Sequence, residues 1–407
     1  MTEEKNKDLK LIIVAGARPN LMKVSPLIIA INKHNARLSQ KYRLRSQKGR
    51  SPRKIDYYLV YTGQHYDRLM SQVFWQDLKL PKPHTDLKVG SASQAVQTAN
   101  IMIAFEKVCL KLKPDMVVVV GDVNSTLACA LVAAKLGIKI AHVESGLRSF
   151  DKSMPEEINR ILTDQISDLL FVTERSALQN LKKEGIDKKK IFLVGNVMID
   201  TLLKLKRRAY ICDIYQRLGI DTKRLKYALL TLHRPSNVDD RKNFKRLTDA
   251  LVVLSKEITI IFPIHPRTEK MLKTFGLHGF YSMHNLKPTV KIHKNKINCI
   301  GPLSYIDFLR LMSGAKFVLT DSGGIQEETT ILGIPCLTIR ENTERPVTIE
   351  KGTNILVGCS VKKIIEESNK ILSGKIKTKK KGALKLWDGK AAERIVDILI
   401  RHYTRRS

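Results

Sequence analysis

The sequence predicts an α/β fold built from two doubly wound parallel-sheet domains. Three observations carry that prediction. Strand-like and helix-like segments alternate along almost the whole chain. The run Asp115-Met-Val-Val-Val-Val120 is apolar throughout, as a strand covered on both faces must be. The alternation then restarts after about residue 193 with a second set of strands. Repeated βαβ units of this kind give parallel, Rossmann-like sheets.

The first set opens with a strand at Leu9–Val14, followed by a helix from Leu21 to Asn32 that carries Pro26 inside it. Tyr57–Tyr61 is the next strand and Ser93–Leu112 a long amphipathic helix. After the Asp115–Val120 strand come a helix at Asn124–Leu136 closed by Gly137, a strand at Ile138–Val143, a helix at Glu156–Ser167 and a strand at Leu169–Val172. The second set places strands at Ala228–Leu232, Thr259–Pro263, Lys316–Thr320 and Cys336–Ile339. A final helix, Lys390–Tyr403, follows a lysine-rich linker. The expected domains are 1–193, 194–383, and a helix in 384–407 that packs back on the first. Ligands of such sheets bind outside the carboxyl ends of the strands, so the cleft between the two domains is the expected site.

Composition narrows the function classes. The chain has 407 residues, 43% of them hydrophobic, which is enough for sizeable cores and against general disorder. No apolar run reaches the ~18 residues of a membrane helix, and the polar start does not read as a signal peptide. Six cysteines without a C-x-x-C pair argue against a zinc site or disulfide scaffold and for a reducing, cytoplasmic setting. The net charge of +33 invites a nucleic-acid reading. It is lumpy, however: eight basic residues fall between Arg37 and Lys54, five between Lys375 and Lys381, and four lysines with three histidines between His278 and Asn298. None of these stretches carries the periodic aromatics of a base-stacking surface. They read as solvated loops and insertions, with attraction to anionic substrates or weak adhesion to RNA or membrane as alternatives, and no specific nucleic-acid partner is expected.

The chemistry-bearing motifs fall just after strands. Gly16-Ala-Arg18-Pro-Asn-Leu-Met-Lys23 offers a tight turn, a helix N-terminus and two cations suited to a diphosphate, although a plain strand–turn–helix connection explains it equally. Asp122 ends the most buried strand, Glu144 ends the next, and Pro155-Glu156-Glu157-Ile-Asn-Arg160 opens a helix. Helix capping alone accounts for one glutamate. Three carboxylates converging at one rim exceed that need and suit acid and base work. His233 beside Arg234 can contact a phosphate, and His265 is either a ligand or a turn residue. Thr320-Asp-Ser322-Gly323-Gly324-Ile-Gln-Glu-Glu328 places hydroxyl and backbone donors at a helix N-terminus, with a carboxylate one turn in that can accept two ribose hydroxyls. That combination indicates a nucleotide. Arg345 lies on the same rim.

Taken together, GARPNLMK, TGQH, GDVNSTLA, HVESGLRS, MPEEINR, VGNVMID, LHRPSNVD, PIHPRT, DSGGIQEE and ENTERP resemble the non-hydrolysing UDP-N-acetylglucosamine 2-epimerase family. The matching segments run in order from Gly16 to Pro346. The resemblance implies the two-domain fold of GT-B glycosyltransferases, with UDP held by the second domain. It implies that Asp122, Glu144 and Glu156 are the acid/base carboxylates, that Arg160 holds one of them, and that His233 completes the catalytic set at the diphosphate. Arg18 and Lys23 would lie near diphosphate and sugar, Phe308 near uracil, Ser322, Gly323 and Gly324 at the phosphate, Glu328 at the ribose, and Arg345 at the sugar–phosphate region.

The implied reaction is reversible inversion at C2 of UDP-N-acetylglucosamine to UDP-N-acetylmannosamine. It runs through loss of UDP, a 2-acetamidoglycal and re-addition, without nicotinamide, metal or other cofactor. Surface-polysaccharide precursor supply and a homodimer are the implied setting. Alternatives are a hydrolysing epimerase, an epimerase of another UDP-2-acetamido sugar, a glycosyltransferase of the same fold, and a basic RNA- or membrane-binding protein. Asn20 stands where the family pattern has glutamate, and Ser145 where it has alanine. Gln64-His65-Tyr66-Asp67 replaces the Q-H-x-Q through which some members bind an activating second substrate, so the resemblance does not extend to that activation.

Overall fold

The computed structural model describes residues 8–44, 53–64, 68–284, 291–376 and 384–404. His65, Tyr66, Asp67 and parts of all three basic stretches lie outside the described residues. The chain forms two compact units. One runs up to Thr201 and takes in the segment from Lys385 on; the other spans Leu202–Leu384.

In the first unit the order is β1 (Leu9–Ala15), α1 (Arg18–Leu44), β2 (Ile55–Tyr61), α2 (Arg68–Leu78), β3 (Thr85–Asp86), α3 (Gln94–Leu112), β4 (Met116–Val120), α4 (Asn124–Lys135), β5 (Lys139–Ser145), α5 (Pro155–Ile166), β6 (Leu169–Val172), α6 (Arg175–Lys183) and β7 (Ile191–Leu193). α7 (Val197–Tyr210) leads out of it. The sheet is parallel, in the order β3-β2-β1-β4-β5-β6-β7. Every residue of β4 is buried. At about 1.5–3 kcal/mol for each fully buried valine, this strand anchors the core with Ile12, Val14, Ile101 and Phe105. The chain order reverses between β1 and β4, so the turns after those two strands flank the switch point.

The helix after β1 is longer than the expected Leu21–Asn32. It begins at Arg18 and takes in Arg37–Leu44, the start of the first basic stretch. Pro26 sits inside it without breaking it. A proline there donates nothing to the carbonyl four residues back. The Thr201 hydroxyl supplies that bond instead, donating to the Met22 carbonyl at 2.6 Å.

The same contact explains why the first unit ends at Thr201 rather than near residue 193. The opening turn of α7 is held by first-unit groups, since the Asp200 carboxylate also accepts the Ala391 and Ala392 N–H groups. Those residues begin α16 (Ala391–Thr404), which packs on α1. Trp387, just before it, donates its indole N–H to the Thr173 carbonyl.

The second unit continues with α8 (Ile214–Arg217), β8 (Tyr227–Thr231), α9 (Pro235–Val238), α10 (Arg241–Glu257), β9 (Thr259–Pro263), α11 (Pro266–Thr274), β10 (Ser282–His284), β11 (Ile297–Ile300), α12 (Tyr305–Gly314), β12 (Phe317–Thr320), α13 (Gly323–Leu332), β13 (Cys336–Thr338), α14 (Val347–Glu350), β14 (Asn354–Leu356) and α15 (Val361–Leu372). Its sheet is also parallel, ordered β10-β11-β9-β8-β12-β13-β14. Its core is built from Leu230, Phe244, Phe262, Phe317 and Leu319. No helix among the described residues is long and apolar enough to cross a membrane.

Candidate active site

In the first unit the candidate residues gather at the carboxyl ends of β1, β4 and β5. Asn20 joins two of these ends. Its side-chain oxygen accepts the Gly16 and Ala17 N–H groups at 3.2 and 2.9 Å, and its amide donates to the Val120 carbonyl at 2.9 Å. A glutamate, as in the family pattern, has no donor for that carbonyl. One turn further on, Lys23 reaches across to Glu144, with Nζ 2.8 Å from Oε2 and both side chains buried. Gly121 makes room for it: a side chain at this position would meet Lys23 Nζ at 2.6 Å.

Glu144 owes its placement to an irregular backbone. It sits in β5 at φ +73°, where the pairing with β6 shifts register between Val143 and Ser145. A non-glycine residue in that region costs about 1–3 kcal/mol and persists only when its surroundings hold it. Asp122, on the turn after β4, has Oδ2 2.5 Å from Arg160 Nη2. The Asn159 amide fixes its carbonyl at 3.0 Å.

The two neighbouring glutamates of α5 part company. Glu157 is buried and accepts from the Ser149 N–H and hydroxyl, from the Phe150 N–H, and from Arg160 Nη1, all at 2.8–2.9 Å. It is a brace for the loop and for Arg160, not a helix cap. Glu156 is half-buried and makes no hydrogen bond or ion pair among the described residues. Arg18 is half-buried with its guanidinium carbon 6.0 Å from the centre of the Phe74 ring.

In the second unit His233 follows β8, and its Nδ1 lies 3.0 Å from Asp321 Oδ1. Asp321 is fully buried and also accepts the His233 and Arg234 N–H groups and the Asn237 amide. Burial alone would push its carboxyl up, but His233 and these donors hold it at about 2. With Nδ1 engaged and the side chain 46% exposed, Nε2 is the nitrogen left to meet a ligand. His265 caps α11, accepting the Arg267 N–H on Nδ1, which favours the turn role.

Ser322 is the N-cap of α13 and its hydroxyl makes no capping bond. The first N–H groups of a helix have no acceptor within it, so they and the hydroxyl remain for an anion. Gly323 cannot be larger, because the Arg345 guanidinium occupies the place of a side chain there. Arg345 is itself gripped by Glu344 and by Glu327, whose Oε1 is 2.7 Å from Nε. Glu328 is buried, with the Tyr305 hydroxyl donating to Oε1 at 2.7 Å. Burial, reinforced by Glu327 and opposed by Tyr305, raises its carboxyl to about 7. Phe308 is half-buried on α12, the helix that also carries Tyr305.

Asp321, Glu157, Glu327 and Tyr305 were not singled out by sequence reasoning. The first three lie inside the quoted motifs, where an acid that braces looks like an acid that reacts; Tyr305 lies in none. No group of three or more His, Cys, Asp or Glu side chains placed to hold a metal occurs among the described residues.

Two parallel sheets with these turns define a protein of the doubly wound, two-unit class. Residues 47–400 match the family model described as UDP-N-acetylglucosamine 2-epimerase. The UDP-N-acetylglucosamine 2-epimerase of Methanocaldococcus jannaschii is 44% identical over 397 residues, covering 96% of this chain and 99% of that one. The UDP-2,3-diacetamido-2,3-dideoxy-D-glucuronate 2-epimerase of Pseudomonas aeruginosa is 36% identical, covering 97% and 100%. Among solved structures, the M. jannaschii UDP-GlcNAc 2-epimerase in complex with UDP-GlcNAc and UDP superposes with a TM-score of 0.82 at 42% identity, covering 97% of this chain and 100% of that one. This chain therefore belongs to the UDP-N-acetylglucosamine 2-epimerase family of enzymes.

Proposed function

We propose that this enzyme inverts C2 of UDP-N-acetylglucosamine to give UDP-N-acetylmannosamine, with the sugar remaining attached to UDP at the end of each turnover. The observation that carries the reading is the set of three carboxylates at one edge of the first sheet, two of them held by Lys23 and Arg160 and the third beside a braced helix start. The C2 hydrogen is not next to a carbonyl, so direct removal is too slow. When the C1–O bond to UDP breaks, positive charge at C1 makes C2–H acidic. One carboxylate takes the proton, leaving a 2-acetamidoglycal. Protonation on the opposite face, with UDP returning to C1, completes the inversion.

The second unit's part is to hold the departing UDP. His233 through Nε2, and Ser322, Gly323 and Gly324 through the start of α13, face the phosphates. Glu328 takes the ribose and Phe308 the uracil. Arg18 and Lys23 are assigned to the diphosphate and sugar, and Arg345 to the sugar–phosphate region. The product feeds surface-polysaccharide synthesis in the cytoplasm. A second copy of the chain pairs with the first; Val96, Ile103 and Leu110, seven residues apart on α3 and 51–61% exposed, form the apolar stripe that supports this. A sedimenting mass of one chain would remove the pairing.

Turnover of UDP-N-acetylglucosamine in heavy water, followed by NMR, tests the reaction. Deuterium should enter at C2 and the new sugar should still carry UDP. Free N-acetylmannosamine would instead indicate the hydrolysing reaction, and product without deuterium would reject proton exchange. The 36% identity to the diacetamido-glucuronate epimerase makes that UDP-sugar the second substrate to offer.

Nucleotide affinity should also depend on pH. Ribose hydroxyls donate to an ionised carboxylate, and burial raises Glu328 to about 7 before the nucleotide arrives. Binding must then expel a proton below that pH. Affinity for UDP should be level above pH 7 and fall by up to about tenfold per unit below it. Calorimetry on wild type and Glu328→Gln separates this from the phosphate's own titration, which both proteins share. The same slope in both would release Glu328 from the ribose.

A further inference from the structure

His142 has no part in the chemistry above, yet it is fully buried two residues before Glu144 on β5, against the turn that carries Asp122. It lies on β5 across from Val119 of β4. Its Nε2 is 2.8 Å from the Gly121 carbonyl, and its Nδ1 is 2.7 Å from Asp164 Oδ1 on α5. A carbonyl can only accept. Asp164 takes two further donors on its other oxygen, the Gly146 N–H at 3.0 Å and Arg148 Nη1 at 2.8 Å, so it too faces His142 as an acceptor. A neutral imidazole has a single N–H. It would aim a bare lone pair at one of two acceptors in a fully buried place, which is costly.

Arg148 reaches past Asp164 to Glu184, with Nε and Nη2 at 2.7 and 2.6 Å from its two oxygens. Two carboxylates and one guanidinium are thus linked through hydrogen bonds to this ring. Glu184 is exposed and Arg148 balances the buried Asp164, so it is the two acceptors facing the ring that set its state.

We propose that His142 is a buried imidazolium that positions the acid/base carboxylates, one nitrogen gripping the residue before Asp122 and the other, through Asp164, the amide two residues after Glu144. The inference rests on the proposed roles of Asp122 and Glu144. It gives the irregular backbone at Glu144 its restraint: β5 bulges there, and the Asp164–Gly146 bond fixes where the strand goes next. His142 touches no reacting atom, so it is a positioning residue.

Protein labelled with ¹⁵N-histidine tests this directly. Compared with His142→Gln, the wild type should show one additional ring with both nitrogens protonated. That variant should keep wild-type affinity for UDP, which the second unit holds, and a near-normal KM, while kcat falls about 10²-fold from misplacement of the carboxylates. A bare nitrogen on that ring overturns the proposal, and so does a folded His142→Gln with wild-type kcat. Should the variant not fold, the wild-type spectrum decides. A wild-type enzyme that left UDP-N-acetylglucosamine unchanged would refute the assigned reaction instead, and the spectrum would still read the ring.

Discussion

Glu144→Gln should lower kcat by about 10²–10⁴ while leaving UDP affinity within about twofold of wild type. The amide keeps the volume and a carbonyl oxygen for Lys23, so the local fold survives. What goes is the ability to carry a proton at the one residue that the fold places at φ +73° on a strand bulge. Strain of that kind is retained where it aims a side chain. Most of the UDP contacts assigned above lie in the second unit, and Lys23, which pairs with Glu144, keeps an oxygen acceptor in the amide. Turnover by NMR and binding by calorimetry on one preparation separate the two effects. Full activity in the variant would take Glu144 out of the mechanism; loss of UDP binding in step with kcat would make it a ligand group.

Arg160→Met should destabilise the protein by about 3–5 kcal/mol and abolish turnover. The guanidinium is almost wholly buried and stands between Asp122 and Glu157. Methionine fills much the same space but removes the only counter-charge that Glu157 has among its described bonds, so the loss is that of leaving a carboxylate buried and unpaired. The Ser149–Phe150 loop, held by Glu157, should loosen with it. Urea unfolding at neutral pH measures the change. Adding Glu157→Gln to Arg160→Met should recover part of the stability, since the stranded charge is then gone, but not the activity. A loss below about 1 kcal/mol for Arg160→Met would show that the pair contributes little.

Much of this was legible in the residues. The apolar run at Met116–Val120, the paired rhythm of strands and helices, and the placing of motifs after strands follow from local patterning, which needs no partner to be seen. Other features depend on partners far along the chain. Pro26 shows only as a proline inside a helix until Thr201 is seen to supply the missing donor. β3, β7, β10 and β14 are two or three residues long, too short for any period to show. Glu156 and Glu157 are adjacent and chemically alike, and only the positions of Ser149, Phe150 and Arg160 tell the brace from its neighbour. Asp321 stands in a quoted motif, but its hold on His233 requires β8 and β12 to be paired side by side.

The bracing carboxylates stand directly behind the assigned site residues: Glu157 behind Arg160, Asp321 behind His233, Glu327 behind Arg345. In a mutational survey scored by product or growth alone, alleles at these inner positions will fall in the same class as alleles at the reacting groups. Melting curves taken alongside divide that class, because a lesion in the scaffold lowers both readouts and a lesion in the chemistry lowers one.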